Sequence, residues 1–336
     1  MTLPQTMTLI EITEPGGPEV LQPRDVPMPT VAAGEVLIRV HAAGVNRPDV
    51  IQRSGKYPMK PGMSPIPGLE VAGEVVAIGK GVSEFTVGDR VCALTNGGGY
   101  AEYAAVPAGQ VLPVPEGWSF AAAAALPETW FTVTQTLVMR SGLEAGMTVL
   151  VHGASGGIGG AAIQIATILG ARAIGVVSSP EKAAYAKSLG AFATIDYKTE
   201  DVAERVLALT DGNGVDRIVD LIGGPMAEAN LKAAARGAHI VQVSALEGSA
   251  NLNLRLIMAK QLTLSGSTLR PQTAATKAAI ASRIRSDLLP ALGRPDAIKP
   301  RVTTYPMADA PAAHRDMEAR GHIGKIVLLT PFGSTG

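Results

Sequence analysis

The stretch that most constrains what this chain can fold into is residues 148–166, TVLVHGASGGIGGAAIQIA, where a short apolar run meets a glycine cluster and passes into an amphipathic helix. Thr148-Val149-Leu150-Val151 is rich in β-branched residues and lacks polar alternation, the pattern of a strand buried on both faces of a parallel sheet. Residues 153–160 form the turn. Beyond it Ile163, Ile165, Ile168 and Leu169 recur at near-helical spacing, and Gly170 closes the helix. Inside the turn, Ala154-x-Gly156-x-x-Gly159 is a variant of the dinucleotide fingerprint with alanine at the first small position. One small residue permits the tight turn, another lets a pyrophosphate approach the backbone, and the last lets helix and strand pack closely. Free N–H groups and the positive end of the helix dipole then supply an anion site. Glycine-rich turns of this kind also arise for packing reasons alone, so the pattern needs its context.

That context is an alternating one. Strand-like runs at 148–152, 172–177, 192–195, 215–220, 238–243 and 262–267 alternate with helical segments, the βαβ rhythm of a doubly wound parallel six-stranded sheet and an α/β fold. The chain up to about residue 127 has a different texture, dense in Gly and Pro with short apolar runs such as 36–40 and 71–76, and reads as an irregular β domain closer to a barrel than to a helical bundle. The alanine run 121–125 opens a helical stretch that continues through Met139 and marks the boundary. Residues 271–293 read as further helix and 324–329 as a terminal strand that, the sheet being complete, belongs with the first domain. The expected division is residues 1–127 plus 302–336 for the β-rich domain and 128–301 for the cofactor-binding domain.

Composition excludes several function classes. A formal net charge of zero without long Lys/Arg runs argues against nucleic acid or an anionic membrane as the main partner. A single cysteine, Cys92, excludes an intrachain disulfide framework and a multi-cysteine zinc site, and reads as a small buried hydrophobe. The N-terminal MTLPQTMTLIEI has no basic segment followed by an apolar one, and no uncharged apolar run reaches spanning length, so the expected location is the cytoplasm.

With these features in hand, the chain resembles the medium-chain dehydrogenase/reductase superfamily over essentially its whole length, and within it the zinc-independent NADPH:quinone oxidoreductases. The stretches that carry the resemblance are AAGVNRPDVIQRSGKYP (42–58), PIPGLEVAGEV (65–75), VGDRVCAL (87–94), LPETWFTV (126–133), HGASGGIG (152–159) and IGKIVL (323–328). The Leu126-Pro127-Glu128 segment is similar to the subgroup of the tumour-suppressor-inducible quinone oxidoreductase. The resemblance implies a GroES-like β-rich catalytic domain, a Rossmann cofactor domain, an active site in the cleft between them, and a homodimer joined by edge strands near 262–267.

Zinc-dependent relatives polarise the substrate oxygen with a metal held by Cys and His. Where those enzymes carry the cysteine this chain has Asn46, and where they carry Gly-His-Glu it has Gly68-Leu69-Glu70. The five histidines, His41, His152, His239, His314 and His322, show no ligand spacing, so no metal is expected and Glu70 reads as a packed turn carboxylate. The dinucleotide is read at the end of the second strand of the sheet, 174–182, IGVVSSPEK. No acid stands there for a 2′-hydroxyl; Ser178 can donate a hydrogen bond and Lys182 can reach a 2′-phosphate, so NADPH is expected over NADH. The alternative is that Ser178 caps the helix and Lys182 is merely solvated.

The resemblance implies the remaining cofactor contacts: Tyr197 against the phosphate, Thr132 near the nicotinamide, Ser155, Gly156, Gly157, Ile158 and Gly159 at the pyrophosphate, Gly223 and Ser244 at strand ends, and Thr268, Leu269, Arg270 and Lys325 completing the cradle. It implies hydride transfer to a quinone or another conjugated carbonyl acceptor, with Asn46 holding nicotinamide or acceptor through its amide and Tyr57 hydrogen-bonding or stacking on the acceptor. Against these roles, Asn46 can simply fix its own loop and Tyr57 can be a packed aromatic beside Pro58. No dedicated proton donor is identifiable. Two other functions stay open: an enoyl or 2-alkenal reductase of the same fold, and a non-catalytic NADPH-binding sensor or RNA-associated protein.

Overall fold

In a computed structural model that describes residues 3–61 and 63–333, the chain divides into two compact units, one of the described residues up to Phe131 with those from Arg270 onward, the other of Thr132–Leu269. Residues 270–301 thus lie with the β-rich unit.

The first unit begins with the antiparallel pair β1 (Thr6–Ile12) and β2 (Leu21–Pro27). Strand β3 (Glu35–Val45) runs into helix α1 (Arg47–Arg53), and β4 (Glu70–Ile78), β5 (Arg90–Leu94), β6 (Tyr103–Pro107) and β7 (Val111–Pro113) follow. Short α2 (Phe120–Ala123) precedes α3 (Pro127–Val133), which continues in wider π-type turns over Thr134–Arg140 and carries the chain into the second unit. The predicted helical stretch is therefore present, interrupted at 124–126.

In the second unit β8 (Thr148–Val151) leads through the glycine turn to α4 (Gly157–Ile168), then β9 (Arg172–Val177), α5 (Pro180–Ser188), β10 (Ala193–Asp196), α6 (Val202–Leu209), β11 (Val215–Asp220), α7 (Met226–Ala233), β12 (Ala234–Gln242), α8 (Leu254–Lys260) and β13 (Thr263–Gly266). The strand order is β10-β9-β8-β11-β12-β13 with every pairing parallel, the doubly wound dinucleotide-binding order. All six strands fall where the apolar runs predict them. Their near-continuous hydrophobicity follows from burial on both faces, with Leu150, Ile174, Ile195, Ile218 and Ile240 in one core. Helix α4 ends as predicted: the Ala171 N–H returns to Ala166 O at 2.8 Å and Gly170 N–H to Thr167 O at 3.1 Å, with Gly170 at φ +77°.

The chain then returns to the first unit through α9 (Ala274–Arg283) and α10 (Leu289–Leu292), followed by β14 (Val302–Pro306), α11 (Ala310–Ala319) and β15 (Lys325–Leu329). The seven-stranded sheet runs β14-β15-β3-β4-β5-β7, with β6 also paired to β3. The terminal strand expected at 324–329 lies between β14 and β3, inside the β-rich unit. This sheet packs its core around Ile38, Val40, Val71, Val91, Val106 and Ile326.

Candidate functional site

Three neighbouring strands of the β-rich unit bring Asn46, Glu70 and Lys325 together. Ile326 of β15 pairs with Val45 of β3, and Val71 of β4 pairs with Ala43, so residues at the ends of these strands converge. Lys325 Nζ lies 2.5 Å from Glu70 Oε1, 2.6 Å from Asn46 Oδ1 and 3.3 Å from Val45 O, which accounts for all three of its donors. Asn46 Nδ2 donates to the same Glu70 oxygen at 2.8 Å, while the other Glu70 oxygen accepts the Glu128 N–H at 2.8 Å. Gly44 makes the space: a Cβ there would run into the Glu70 carboxylate. Glu70 is thus a wholly buried ion-pair partner at a strand start, where the sequence suggested a turn carboxylate.

The loop carrying Asn46 is pinned separately. Asp49, three residues into α1, accepts the Asn46 N–H at 2.8 Å and the Gly68 N–H at 3.0 Å. Behind it Tyr100 Oη lies 3.3 Å from Asp49 Oδ2 and 3.0 Å from His314 Nε2, and Arg53 binds both His314 and Glu318. Burial pushes the Asp49 carboxyl up to about 6 and pulls the His314 imidazole down to about 3. The sequence pattern Asn-x-x-Asp before an apolar turn is a helix-start signature and was available as a signal for Asp49.

Tyr57 and Arg270 also meet. The guanidinium carbon sits 4.9 Å from the centre of the Tyr57 ring, and the guanidinium donates to Gln52 Oε1 at 2.7 Å, Ser64 O at 3.2 Å and Asn96 O at 3.3 Å. Burial raises the half-buried Tyr57 phenol's pKa, and Arg270 opposes the shift. Lys277 on α9 buttresses this arrangement by donating to Arg270 O at 2.9 Å and to Asn96 Oδ1; burial lowers its pKa to about 8.

The second unit collects the turn residues. Gly156 precedes α4, which begins at Gly157, so Ser155, Gly156, Gly157, Ile158 and Gly159 lie at the carboxyl end of β8 and the first turn of the helix. Gly159 is obligatory, because a Cβ there would overlap Gly153 O and the Ala154 backbone. Alanine at the first small position is accommodated by Gly175 of β9, where a Cβ would come within 2.8 Å of Ala154 Cβ. At the end of β9, Ser179, not Ser178, caps α5 by accepting the Lys182 N–H at 3.3 Å. Ser178 is left to Lys182, whose Nζ lies 3.4 Å from its Oγ. Tyr197 follows β10 and donates its N–H to the carbonyl of Val177, the residue before Ser178, at 3.2 Å.

Gly223 follows β11 at φ +68°, its N–H held by Asp220 Oδ1 at 3.0 Å; Asp220 in turn binds Asn230, which binds His152 at 2.7 Å. Burial depresses the His152 pKa. Ser244 follows β12, with its carbonyl held by Gln242. Thr132 is buried, its carbonyl accepting from Thr136 Oγ1 at 2.7 Å, and Leu269 is buried at the unit's end beside Thr268. Arg270 and Lys325 lie in the other unit, with Asn46 and Tyr57. Cys92 is buried and burial pushes its thiol well up, the state of an inert hydrophobe.

The family described as "Alcohol dehydrogenase GroES-like domain" matches residues 32–116, and "Zinc-binding dehydrogenase" matches 157–282. Rat quinone oxidoreductase is 35% identical over 327 residues, covering 96% of this chain and 98% of its own. A quinone oxidoreductase of Pseudomonas aeruginosa is 36% identical over 323 residues, covering 95% and 98%. The chain belongs to the quinone oxidoreductase family of medium-chain dehydrogenases/reductases. A mycobacterial protein solved in complex with NADPH superposes with a TM-score of 0.83 at 35% identity, covering 96% of this chain and 100% of that one. Despite the zinc-binding description of one domain, the residues do not fit a catalytic zinc. An amide and an alkyl side chain, Asn46 and Leu69, stand at two ligand positions, and the Glu70 carboxylate is already neutralised by the Lys325 ammonium. Among the described residues no group of three His, Cys, Asp or Glu side chains is arranged to hold a metal, and no helix is long and apolar enough to cross a membrane.

Proposed function

We propose that this protein reduces quinones and related conjugated carbonyls with NADPH, without a metal. The observation that carries the reading is the Asn46–Glu70–Lys325 cluster. It holds the Asn46 amide on both sides and leaves one amide N–H unspent for an acceptor oxygen or the nicotinamide carboxamide. Bound NADPH would supply the hydride. Its pyrophosphate fits the turn at 155–159, from which any Cβ at Gly159 is excluded, and its 2′-phosphate fits Ser178, Lys182 and Tyr197. Thr132, Gly223, Ser244, Thr268 and Leu269 line the cofactor in this reading, and Arg270 and Lys325 order the β-rich side.

In the same reading the Tyr57 ring, kept in place by the Arg270 guanidinium, offers an aromatic face and a phenol to the acceptor. The domains divide the work, the β-rich one meeting the acceptor and the Rossmann one the cofactor. Leu126-Pro127-Glu128 supports the tumour-suppressor-inducible subgroup. The edge strand β13, with Leu264 38% exposed, supports homodimerisation through that edge, and the composition supports a cytoplasmic setting.

The test is turnover of NADPH and of NADH with 1,4-naphthoquinone and with a short 2-alkenal. The reading expects the NADPH–quinone pair to be fastest. Faster reduction of the alkenal would make the protein an enal reductase. A raised melting temperature with NADPH but no turnover of any acceptor would make it a non-catalytic binder.

A further inference from the structure

The Asn46–Glu70–Lys325 cluster needs two separate backbone segments to meet at a fixed distance, and one side chain bonds to both. Asp49 is wholly buried. Its Oδ2 accepts the Asn46 N–H at 2.8 Å, and its Oδ1 accepts the N–H of Gly68, two residues before Glu70, at 3.0 Å. A carboxylate suits this place because both of its oxygens accept; an asparagine there would turn its own NH₂ onto one of the two donors. Thr95 holds the second segment as well, its Oγ1 donating to Gly68 O and its N–H to Leu69 O, both at 2.8 Å. Gly68, at φ +99°, has no room for a side chain, since a Cβ would lie 2.5 Å from Tyr100 N.

The Asp49 carboxylate is itself held by a line of hydrogen bonds whose direction is fixed at its far end. Arg53 only donates, so His314 Nδ1, 3.3 Å from Arg53 Nη1, accepts. The imidazole proton is then on Nε2 and goes to Tyr100 Oη at 3.0 Å, and the Tyr100 hydroxyl donates to Asp49 Oδ2 at 3.3 Å. Tyr100 and His314 are both wholly buried, their rings edge-on with centroids 5.8 Å apart, so a bond lost between them leaves a buried polar group unpaired. Arg53 is anchored in turn by Glu318 of α11 at 2.7 Å and by Gly16 O at 3.1 Å. The line therefore ties α11 to the loop that carries Asn46.

We propose that Asp49 is a positioning residue for the reaction: it sets the Asn46 amide against Glu70 and Lys325, and Tyr100 with His314 keeps its carboxylate in the pose that does so. The inference rests on the reductase reading above. In that reading the unspent Asn46 N–H must meet the acceptor or the nicotinamide at one place, and a misplacement of about 1 Å can cost on the order of 10²-fold in rate. Asp49 and Tyr100 touch neither ligand and act through Asn46.

The decisive variant is Tyr100→Phe, which keeps the ring and removes the hydroxyl joining His314 to Asp49. With 1,4-naphthoquinone, kcat is expected to fall about tenfold, while NADPH affinity holds, because the glycine turn and Ser178 belong to the other unit. In an Asn46→Ala background the same substitution should lower the residual kcat no further, since the residue through which it acts is gone. A role confined to folding would lower the melting temperature and leave kcat in place, or lower kcat by the same factor in both backgrounds; either result overturns the inference alone. Independently of turnover, amide hydrogen exchange followed by NMR should show the Asn46 and Gly68 N–H groups exchanging faster in Y100F than in wild-type protein, and unchanged exchange at both overturns the inference too. If Y100F does not fold, His314→Gln and His314→Leu replace it. Glutamine can donate to Tyr100 and accept from Arg53 and should keep kcat, leucine can do neither and should lose about tenfold, and equal kcat in the two overturns the inference. An inactive wild-type protein overturns the reductase reading and this inference with it.

Discussion

Lys325 and Glu70 form a buried ion pair 2.5 Å long, with 5% and 0% of their side chains exposed, and the amide of Asn46 bridges them. The cationic centre next to Asn46 is thus an ammonium covalently part of the chain. Removing one partner strands the other's charge in the interior. Lys325→Met should cost about 3–5 kcal/mol of unfolding free energy, measured by urea denaturation. Adding Glu70→Gln to that variant should recover part of the loss, since no uncompensated charge remains.

The glycine turn separates two kinds of defect. Gly159→Ala forces a Cβ into Gly153 O and should destabilise the Rossmann unit by roughly 1–3 kcal/mol, as overpacking does, as well as weakening NADPH. Gly156→Ala meets its nearest neighbour, Gly153 O, at 3.5 Å and should leave the melting temperature unchanged. Its effect should appear only as weaker NADPH binding in a fluorescence titration, because the added methyl meets no protein atom closer than Gly153 O and enters the turn proposed to hold the pyrophosphate.

At the end of β9, Lys182→Ala removes the ammonium beside Ser178. The Kd for NADPH should rise about tenfold, roughly 1.4 kcal/mol, while that for NADH stays within twofold. Equal weakening of both dinucleotides in calorimetric titrations would remove Lys182 from the 2′-phosphate site.

Much of this was legible in sequence because it depends on local pattern. Six apolar runs fall on six parallel strands, and β9 ends at Val177, directly before the Ser178-Ser179-Pro180 turn into α5. Ser179 and not Ser178 caps α5, a choice that Pro180 at the first helical position signals in the sequence. Residues 279 and 255 positions away from Lys325, Asn46 and Glu70, engage it only through strand pairing, so its role as their shared cation is invisible to spacing. Glu128 was visible as part of a motif, but its charge state depends on Glu70, Asp49, Lys325 and Lys277 arriving from four other places in the chain.

The Glu128 carboxyl also predicts how stability depends on pH. Its pKa is raised from 4.5 to about 8 in the folded protein. The native state therefore holds a proton that the unfolded chain releases, and this contribution is fully present below about pH 4.5 and lost as pH rises toward 8. Relative to E128Q, wild-type protein should lose on the order of 1 kcal/mol per pH unit across that window. His314 is not among the charges that act on Glu128 and cancels in the difference. Urea midpoints from pH 5 to pH 8 measure it, and parallel curves for the two proteins would assign Glu128 an ordinary carboxyl.

The most direct test of metal-free hydride transfer beside Asn46, Glu70 and Lys325 is steady-state NADPH oxidation with 1,4-naphthoquinone after exhaustive treatment with a chelator. Full turnover, with stoichiometric hydroquinone and no stimulation by added zinc, is the expected result. No turnover in untreated protein, or activity lost to the chelator and restored by zinc, would contradict it.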